Sequence, residues 1–240
     1  MSDYSRRTFL KGGMLAAGTS LVGFSQLFDY QQLFAQDNGD DVPTILNLAA
    51  TAESLACTHY YTALTESNIQ LTPLERDFIL ATLDSELYHL EYLNAHGGQS
   101  LTSQFYAPLN VYNDRANFGK ITQQAETAFI AAYLAANRRI AELGNSLLAA
   151  TVAQIAITEG VHLALIRQLA GLLPNNTALG EAFYFNTSEV TPVLRPFLEG
   201  GEGFRGPKPF PGADAIRSLV GKNTVDPTKP FTELGLVKEG

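Results

Sequence analysis

Two short stretches, SELYHLEYL at Ser85–Leu93 and TEGVHLALI at Thr158–Ile166, each set a Glu and a His three residues apart in an apolar run. On a helix, Glu86 and His89 share one face, as do Glu159 and His162. A carboxylate beside an imidazole can exchange a proton or hold a metal ion. One such pair is common by chance on any polar helix, so its surroundings must decide. The same-face neighbours of Glu86 are Ile79, Leu83, Leu90 and Leu93. Those of Glu159 are Val152, Ile155, Ala156, Leu163 and Ile166. Both glutamates therefore lie in stripes that face a helical interior.

The pattern has a second half. Glu53 precedes Glu86 by 33 residues, and Glu126 precedes Glu159 by 33. AESLACTHYY (Ala52–Tyr61) aligns with AETAFIAAYL (Ala125–Leu134), which puts Tyr60 and Tyr133 seven residues after Glu53 and Glu126. Glu53 shares its face with Ala49, Ala50, Ala56, Cys57 and Tyr60, and Glu126 shares its face with Phe129, Ile130 and Tyr133. The chain reads as a duplicated helical hairpin with equivalent polar residues at equivalent places. Four buried carboxylates repel one another, and each costs several kcal/mol in desolvation unless positive charge matches it. No Lys or Arg lies on these stripes. Two divalent cations neutralise the four carboxylates, and two imidazoles complete the set. Carboxylate and imidazole donors suit iron or manganese.

Four helices must position these residues. The apolar periodicity predicts helices at about 44–67, 73–96, 120–143 and 145–170. Thr72, Pro73 and Glu75 form a capping-box start for the second, and Gly97-Gly98 ends it. Short connections make helices 1 and 2 antiparallel, and likewise helices 3 and 4. More than twenty residues with little helical pattern separate helices 2 and 3, enough to cross the length of the bundle. The expected fold is all-α: a four-helix bundle with one long crossover between helices 2 and 3. Eight of the eleven prolines and half of the glycines fall in residues 171–240. That part reads as an irregular tail packed on the bundle, with short helices near 188–199 and 213–220.

The four Glu and two E-x-x-H pairs resemble the ferritin-like superfamily of the di-iron carboxylate type, over residues 44–170. The resemblance implies that Glu53, Glu86, His89, Glu126, Glu159 and His162 are metal ligands, with Glu86 and Glu159 as bridges. It implies that Tyr60 and Tyr133 each bond a ligand carboxylate. The cofactor is then two divalent ions, iron first and manganese second. The activity is that of a ferroxidase or oxidase reacting with O2 or peroxide. More narrowly, the basic leader SRRTFLK (Ser5–Lys11), the Gly97-Gly98 crossover and the irregular tail resemble exported ferritin-like proteins related to desiccation-associated proteins. That relation leaves a second function open, a non-enzymatic envelope or stress protein whose metal is structural or absent.

The first residues suggest an address. SRRTFLK at Ser5–Lys11, followed by a short apolar segment, resembles a twin-arginine export signal centred on Arg6 and Arg7. The expected division is residues 1–35 as signal, 36–171 as bundle and 172–240 as tail. The expected location is the periplasm or cell envelope, with the leader as a membrane anchor if it is retained. The twin-arginine machinery and O2 or peroxide are the expected partners, and a homodimer is allowed. A formal charge of −8 argues against nucleic acid. The single cysteine, Cys57, excludes an internal disulfide and reads as a small buried hydrophobe. His59 points away from the metal stripe, as a surface or inter-element histidine, and His96 caps helix 2. Glu66, Glu75, Asp84, Glu91 and Glu142 read as caps or solvated faces. EAFYFN (Glu181–Asn186) is expected to pack the tail onto the bundle.

Overall fold

The computed structural model of the chain describes residues 39–175 and 177–221. Arg6, Arg7 and the rest of the leader lie outside the described residues, as does the last part of the tail. Four long helices dominate: α1 (Val42–Thr65), α2 (Pro73–Ala95), α3 (Arg115–Glu142) and α4 (Ser146–Leu169). Each starts at a polar cap that satisfies a backbone N–H with no partner inside the helix. Asp41 accepts from Thr44 N at 2.9 Å, Asp114 from Asn117 N at 2.7 Å, and Asn145 from Leu148 N at 3.1 Å. For α2 the expected capping box forms, with Thr72 Oγ1 accepting from Glu75 N and Glu75 Oε2 accepting from Thr72 N. Helix α3 begins five residues before its expected start, because Asp114 supplies a cap that the apolar periodicity does not reveal.

Contacts across the bundle give its directions. Tyr60 meets Glu126 while Tyr133 meets Glu53, so α1 and α3 are antiparallel. Ser85 meets His162 while His89 meets Glu159, so α2 and α4 are antiparallel. With α1–α2 and α3–α4 as hairpins, α2 and α3 must run the same way. The segment between them therefore crosses the bundle lengthwise, about 35 Å for a helix such as α2. Gly98 lets this crossover leave α2 close against α1, since a Cβ there would stand 2.9 Å from the Leu46 carbonyl oxygen.

The crossover is not structureless, which corrects the sequence reading. Its strand β1 (Gln104–Pro108) pairs antiparallel with β2 (Phe204–Pro209) from the tail, in the register Gln104↔Pro209 and Pro108↔Phe204. A two-stranded ribbon is missed by hydrophobic periodicity because β2, FRGPKP, has no apolar alternation. The tail also contributes a 3-10 turn (Thr187–Val190), α5 (Thr191–Glu199) and α6 (Ala213–Val220). Val190, Leu194, Leu198 and Ile216 are buried. Asp40 links the start of the described chain to the 3-10 turn and to α3, its Oδ2 accepting from Ser188 N and its carbonyl from Arg139 Nε. Of EAFYFN, Tyr184 is buried, but Phe185 is 64% exposed under the Arg138 guanidinium. Helix α4 is long and apolar enough to cross a membrane by composition, yet it is a bundle helix with Glu159 and His162 buried.

Candidate metal centre

The structure brings all six expected side chains together at the middle of the bundle. α1 supplies Glu53, α2 Glu86 and His89, α3 Glu126, and α4 Glu159 and His162. None is more than 5% exposed. Two overlapping donor groups result, Glu53–Glu86–His89–Glu159 and Glu86–Glu126–Glu159–His162, with the atoms of each group within 4.8 Å of one another. Oxygen and nitrogen donors sit about 2.0–2.2 Å from a divalent transition ion, so donors on opposite sides lie roughly 4 Å apart. Each group is the size of one ion's shell. Glu86 and Glu159 belong to both groups, the placement of bridging carboxylates.

The hydrogen-bond accounting points the same way. Glu53 Oε2, both carboxylate oxygens of Glu86, His89 Nδ1, Glu126 Oε2 and Glu159 Oε1 are buried without a hydrogen-bond partner. Buried polar atoms in folded proteins are normally paired. Here the unpaired atoms of these five residues fall within the two donor groups, and a cation in each group would satisfy them. His162 Nδ1 stands 3.0 Å from Glu159 and 3.1 Å from Glu86, and His89 Nδ1 stands 3.3 Å from Glu159 and 3.4 Å from Glu86.

Burial and neighbouring charge shift the groups of the cluster in opposite directions. Burial, then Glu86 and Glu159, pushes the Glu53 carboxyl well above its ordinary range. Burial, then Glu159 and Glu86, does the same to Glu126. Burial alone would lower both histidines, but the facing carboxylates raise His89 and His162 well above theirs. The same contacts hold Glu86 and Glu159 low against their own burial. Two carboxyls shifted toward the neutral form, two carboxylates held low and two histidines shifted toward the charged form lean toward zero net charge. Four carboxylates with two divalent ions also sum to zero, so ions can replace protons without leaving net charge in the core.

The surrounding groups orient this set. Tyr60 O–H donates to Glu126 Oε1 and Tyr133 O–H to Glu53 Oε1. Each tyrosine therefore bonds the carboxylate on the opposite helix, not the one on its own. Both phenols stay protonated, because burial and the accepting carboxylate raise them. Ser85 was missed from sequence. Its hydroxyl donates to Thr82 O at 3.1 Å, so it accepts from His162 Nε2–H at 2.6 Å. That bond leaves Nδ1 as the donor atom aimed at the carboxylates. The hint was present, since a hydroxyl residue precedes the Glu in both SELYH and TEGVH. Its counterpart Thr158 bonds only Gln154 O of its own helix.

Residues 41–172 match the family model of the ferritin-like domain, more than half of the chain. The chain belongs to the ferritin-like domain family. No curated protein matches it. The matched region contains all four helices and all six clustered side chains of the ferritin-like domain, while the tail lies beyond it.

Residues set aside from the site fall elsewhere. Cys57 is fully buried, and burial followed by Glu86 and Glu53 keeps it a thiol. His59 is partly buried and joins three elements through Tyr112 (3.0 Å) and Thr122 (2.8 Å). His96 caps α2, its Nδ1 2.8 Å from Tyr92 O. Glu66, Glu75, Glu91 and Glu142 pair with Lys208, Arg115, Arg217 and Arg138.

Proposed function

We propose that Glu53, Glu86, His89, Glu126, Glu159 and His162 hold two divalent metal ions, iron first and manganese second, and that this pair reacts with O2 or peroxide. The gathering of unpaired buried donor atoms in two donor groups carries this reading. Bound as a reduced pair, the metals supply two electrons, which with two protons reduce one peroxide to two waters. The chain's own groups do the rest. Glu86 and Glu159, which belong to both donor groups, would be shared between the ions, and Glu53 with His89 and Glu126 with His162 would hold one ion each. Tyr60 and Tyr133 hold the terminal carboxylates in place by hydrogen bonds, and Ser85 sets the tautomer of His162. The packed interior around the cluster excludes bulk water.

The full chain loaded anaerobically with Fe(II), then exposed to O2 or peroxide, tests this reading. About two irons per chain and oxidant consumption are expected. A chain that stays metal-free after both iron and manganese loading ends the proposal.

We also propose that the chain is exported to the periplasm or envelope by the twin-arginine route. The SRRTFLK motif and its apolar successor support this reading. Changing Arg6→Lys and Arg7→Lys together should leave the protein in the cytoplasm, and normal export of that variant would defeat the assignment.

A further inference from the structure

The internal repeat places two cavities at mirror positions between α1 and α3. One, of about 30 Å³, lies beside Tyr60, and the other, of about 20 Å³, lies beside Tyr133. Their walls correspond through the repeat: Ile121 with Leu48, Ala125 with Ala52, and Tyr60 with Tyr133. Their polar linings differ. Glu126, whose Oε2 is buried and unpaired, lines the first cavity, whereas its counterpart Glu53 does not line the second. The first also carries His59 and Thr122 where the second has Ala132 and Ala49.

Different segments cover them. The 3-10 turn, through Thr187 and Val190, covers the second cavity. The ribbon and α5 cover the first, through Tyr106, Ala107, Lys208 and Phe197. The wall at His59 is fixed and uncharged. The Thr122 hydroxyl donates to Phe118 O at 2.7 Å, so it accepts from His59 Nε2–H, and His59 Nδ1 accepts from the Tyr112 hydroxyl. The imidazole stacks on Phe118 at 5.1 Å. Nothing in this wall offers a free charge to a ligand, and Lys208 at the cover is paired with Glu66.

We infer that a small uncharged oxidant, of the size of dioxygen or hydrogen peroxide, reaches the cluster from one side only, through the cavity at Glu126. This rests on the di-metal reading and adds the route by which its oxidant arrives. A cavity of about 30 Å³ has room for one or two water-sized molecules. It admits neither a hydrated metal ion nor an organic molecule of several heavy atoms. The carbon lining favours a neutral guest over an ion. The mirror cavity, among the described residues, ends without reaching a ligand atom.

Nitric oxide is the probe, a neutral diatomic that binds ferrous ions. The full chain and three variants are loaded with Fe(II) anaerobically, iron per chain is measured, and nitric oxide association is followed by stopped flow. Ala125→Leu fills the cavity, and Ile121→Trp fills it from a position farther from the ligands, should the first variant fold poorly. Ala52→Leu is the mirror control. With iron content unchanged, association should slow about tenfold or more in the two cavity variants and stay within about twofold in the control. A second readout needs no metal: xenon should shift the Leu55 methyl resonances of the metal-free protein, and Ala125→Leu should abolish that shift. A loaded wild type whose nitric oxide association is indifferent to both cavity variants, or equally slowed by Ala52→Leu, overturns one-sided access alone. A wild type that takes up no iron overturns the di-metal reading as well.

Discussion

The α1–α2 hairpin and the α3–α4 hairpin agree wherever the cluster needs them to and differ almost everywhere else. Each gives one Glu, one E-x-x-H and one Tyr, and each Tyr reaches across to the other hairpin's Glu. The differences lie around that core. Ser85 bonds His162, while Thr158 bonds its own helix. His59 stands opposite Ala132 in the repeat, the ribbon covers one hairpin contact, and the 3-10 turn covers the other. The duplicated part therefore sets charge and donor atoms, and the unduplicated crossover and tail set what surrounds them. A four-carboxylate core tolerates little variation, because each unmatched charge costs several kcal/mol. Its covering carries no such penalty.

The largest effect should come from the residues that both hairpins share. Glu86→Ala combined with Glu159→Ala removes both bridges, and metal content should fall from about two per chain to near none. Glu53→Ala and Glu126→Ala each remove a donor from one group only, so each should retain about half. Elemental analysis after identical loading distinguishes the two patterns. If Glu53→Ala lost both ions while Glu126→Ala lost neither, the two-fold symmetry of the cluster would be wrong.

The next effect separates symmetry from asymmetry. Tyr60→Phe and Tyr133→Phe each strip a hydrogen bond from one terminal carboxylate. Both should weaken metal affinity about 10–100-fold, by similar factors. Ser85→Ala should weaken it about 10-fold, whereas Thr158→Val, which touches no cluster group, should leave it unchanged. Competition with a chelator measures all four. Equal effects of Ser85→Ala and Thr158→Val would remove the assigned role of Ser85.

Much of this was legible in the sequence, for a physical reason. The four glutamates and two histidines are carboxylates and imidazoles set inside apolar stripes with no Lys or Arg, so burial and the need for countercharge identify them together. The repeat turned a weak motif into a strong pattern, and the ends of α2 followed from Thr72, Pro73, Glu75 and Gly97. What escaped depends on contacts between segments far apart in the chain. The pairing of QFYAP with FRGPKP needs tertiary placement, as does the crossing of Tyr60 to Glu126. The chain of hydrogen bonds from Tyr112 through His59 to Thr122 likewise has no periodic signature.

A smaller effect concerns protons at the cluster. Glu53, Glu126, His89 and His162 hold protons more tightly folded than unfolded. Each contribution is fully present below the group's unfolded pKa and is lost as pH rises through its folded value. Glu86 and Glu159, shifted down, act in the opposite sense, but only below their ordinary value of 4.5. His59, which burial lowers to about 4, also acts in the opposite sense up to its ordinary 6.5. From about pH 6.5 upward the metal-free protein should therefore lose stability, with its Tm falling by about 5 °C or more into the alkaline range. The loaded protein should show a flatter profile, since ions have replaced those protons, and loading should tighten with rising pH. Thermal scans with and without chelator over a pH series check both. A metal-free Tm that rises with pH above about 6.5 would contradict the proton arrangement.

The smallest effect tests the hairpins at their turns, away from the cluster. In the repeat, Thr72 corresponds to Asn145 and Glu75 to Leu148. Both helices therefore have a cap, but α2 alone of the two has a carboxylate three residues on. Glu75 returns a bond to Thr72 N and pairs with Arg115 at the start of α3, so it ties the two hairpins together. The Arg115 hydrogen bonds are the largest cause holding the Glu75 carboxyl low, at about 2 against an ordinary 4.5. The stability it contributes is present above pH 4.5 and is lost as pH falls toward 2. Glu75→Leu, which copies the other hairpin, should cost about 1 kcal/mol near neutral pH, a modest figure because Arg115 is partly solvated. The gap between wild type and variant should close in acid, as the wild-type carboxyl takes up its proton. Urea unfolding of both proteins at pH 7 and pH 3 measures it. A gap that stays constant between those two values would assign the stabilisation to packing at this position instead of to the charged contact.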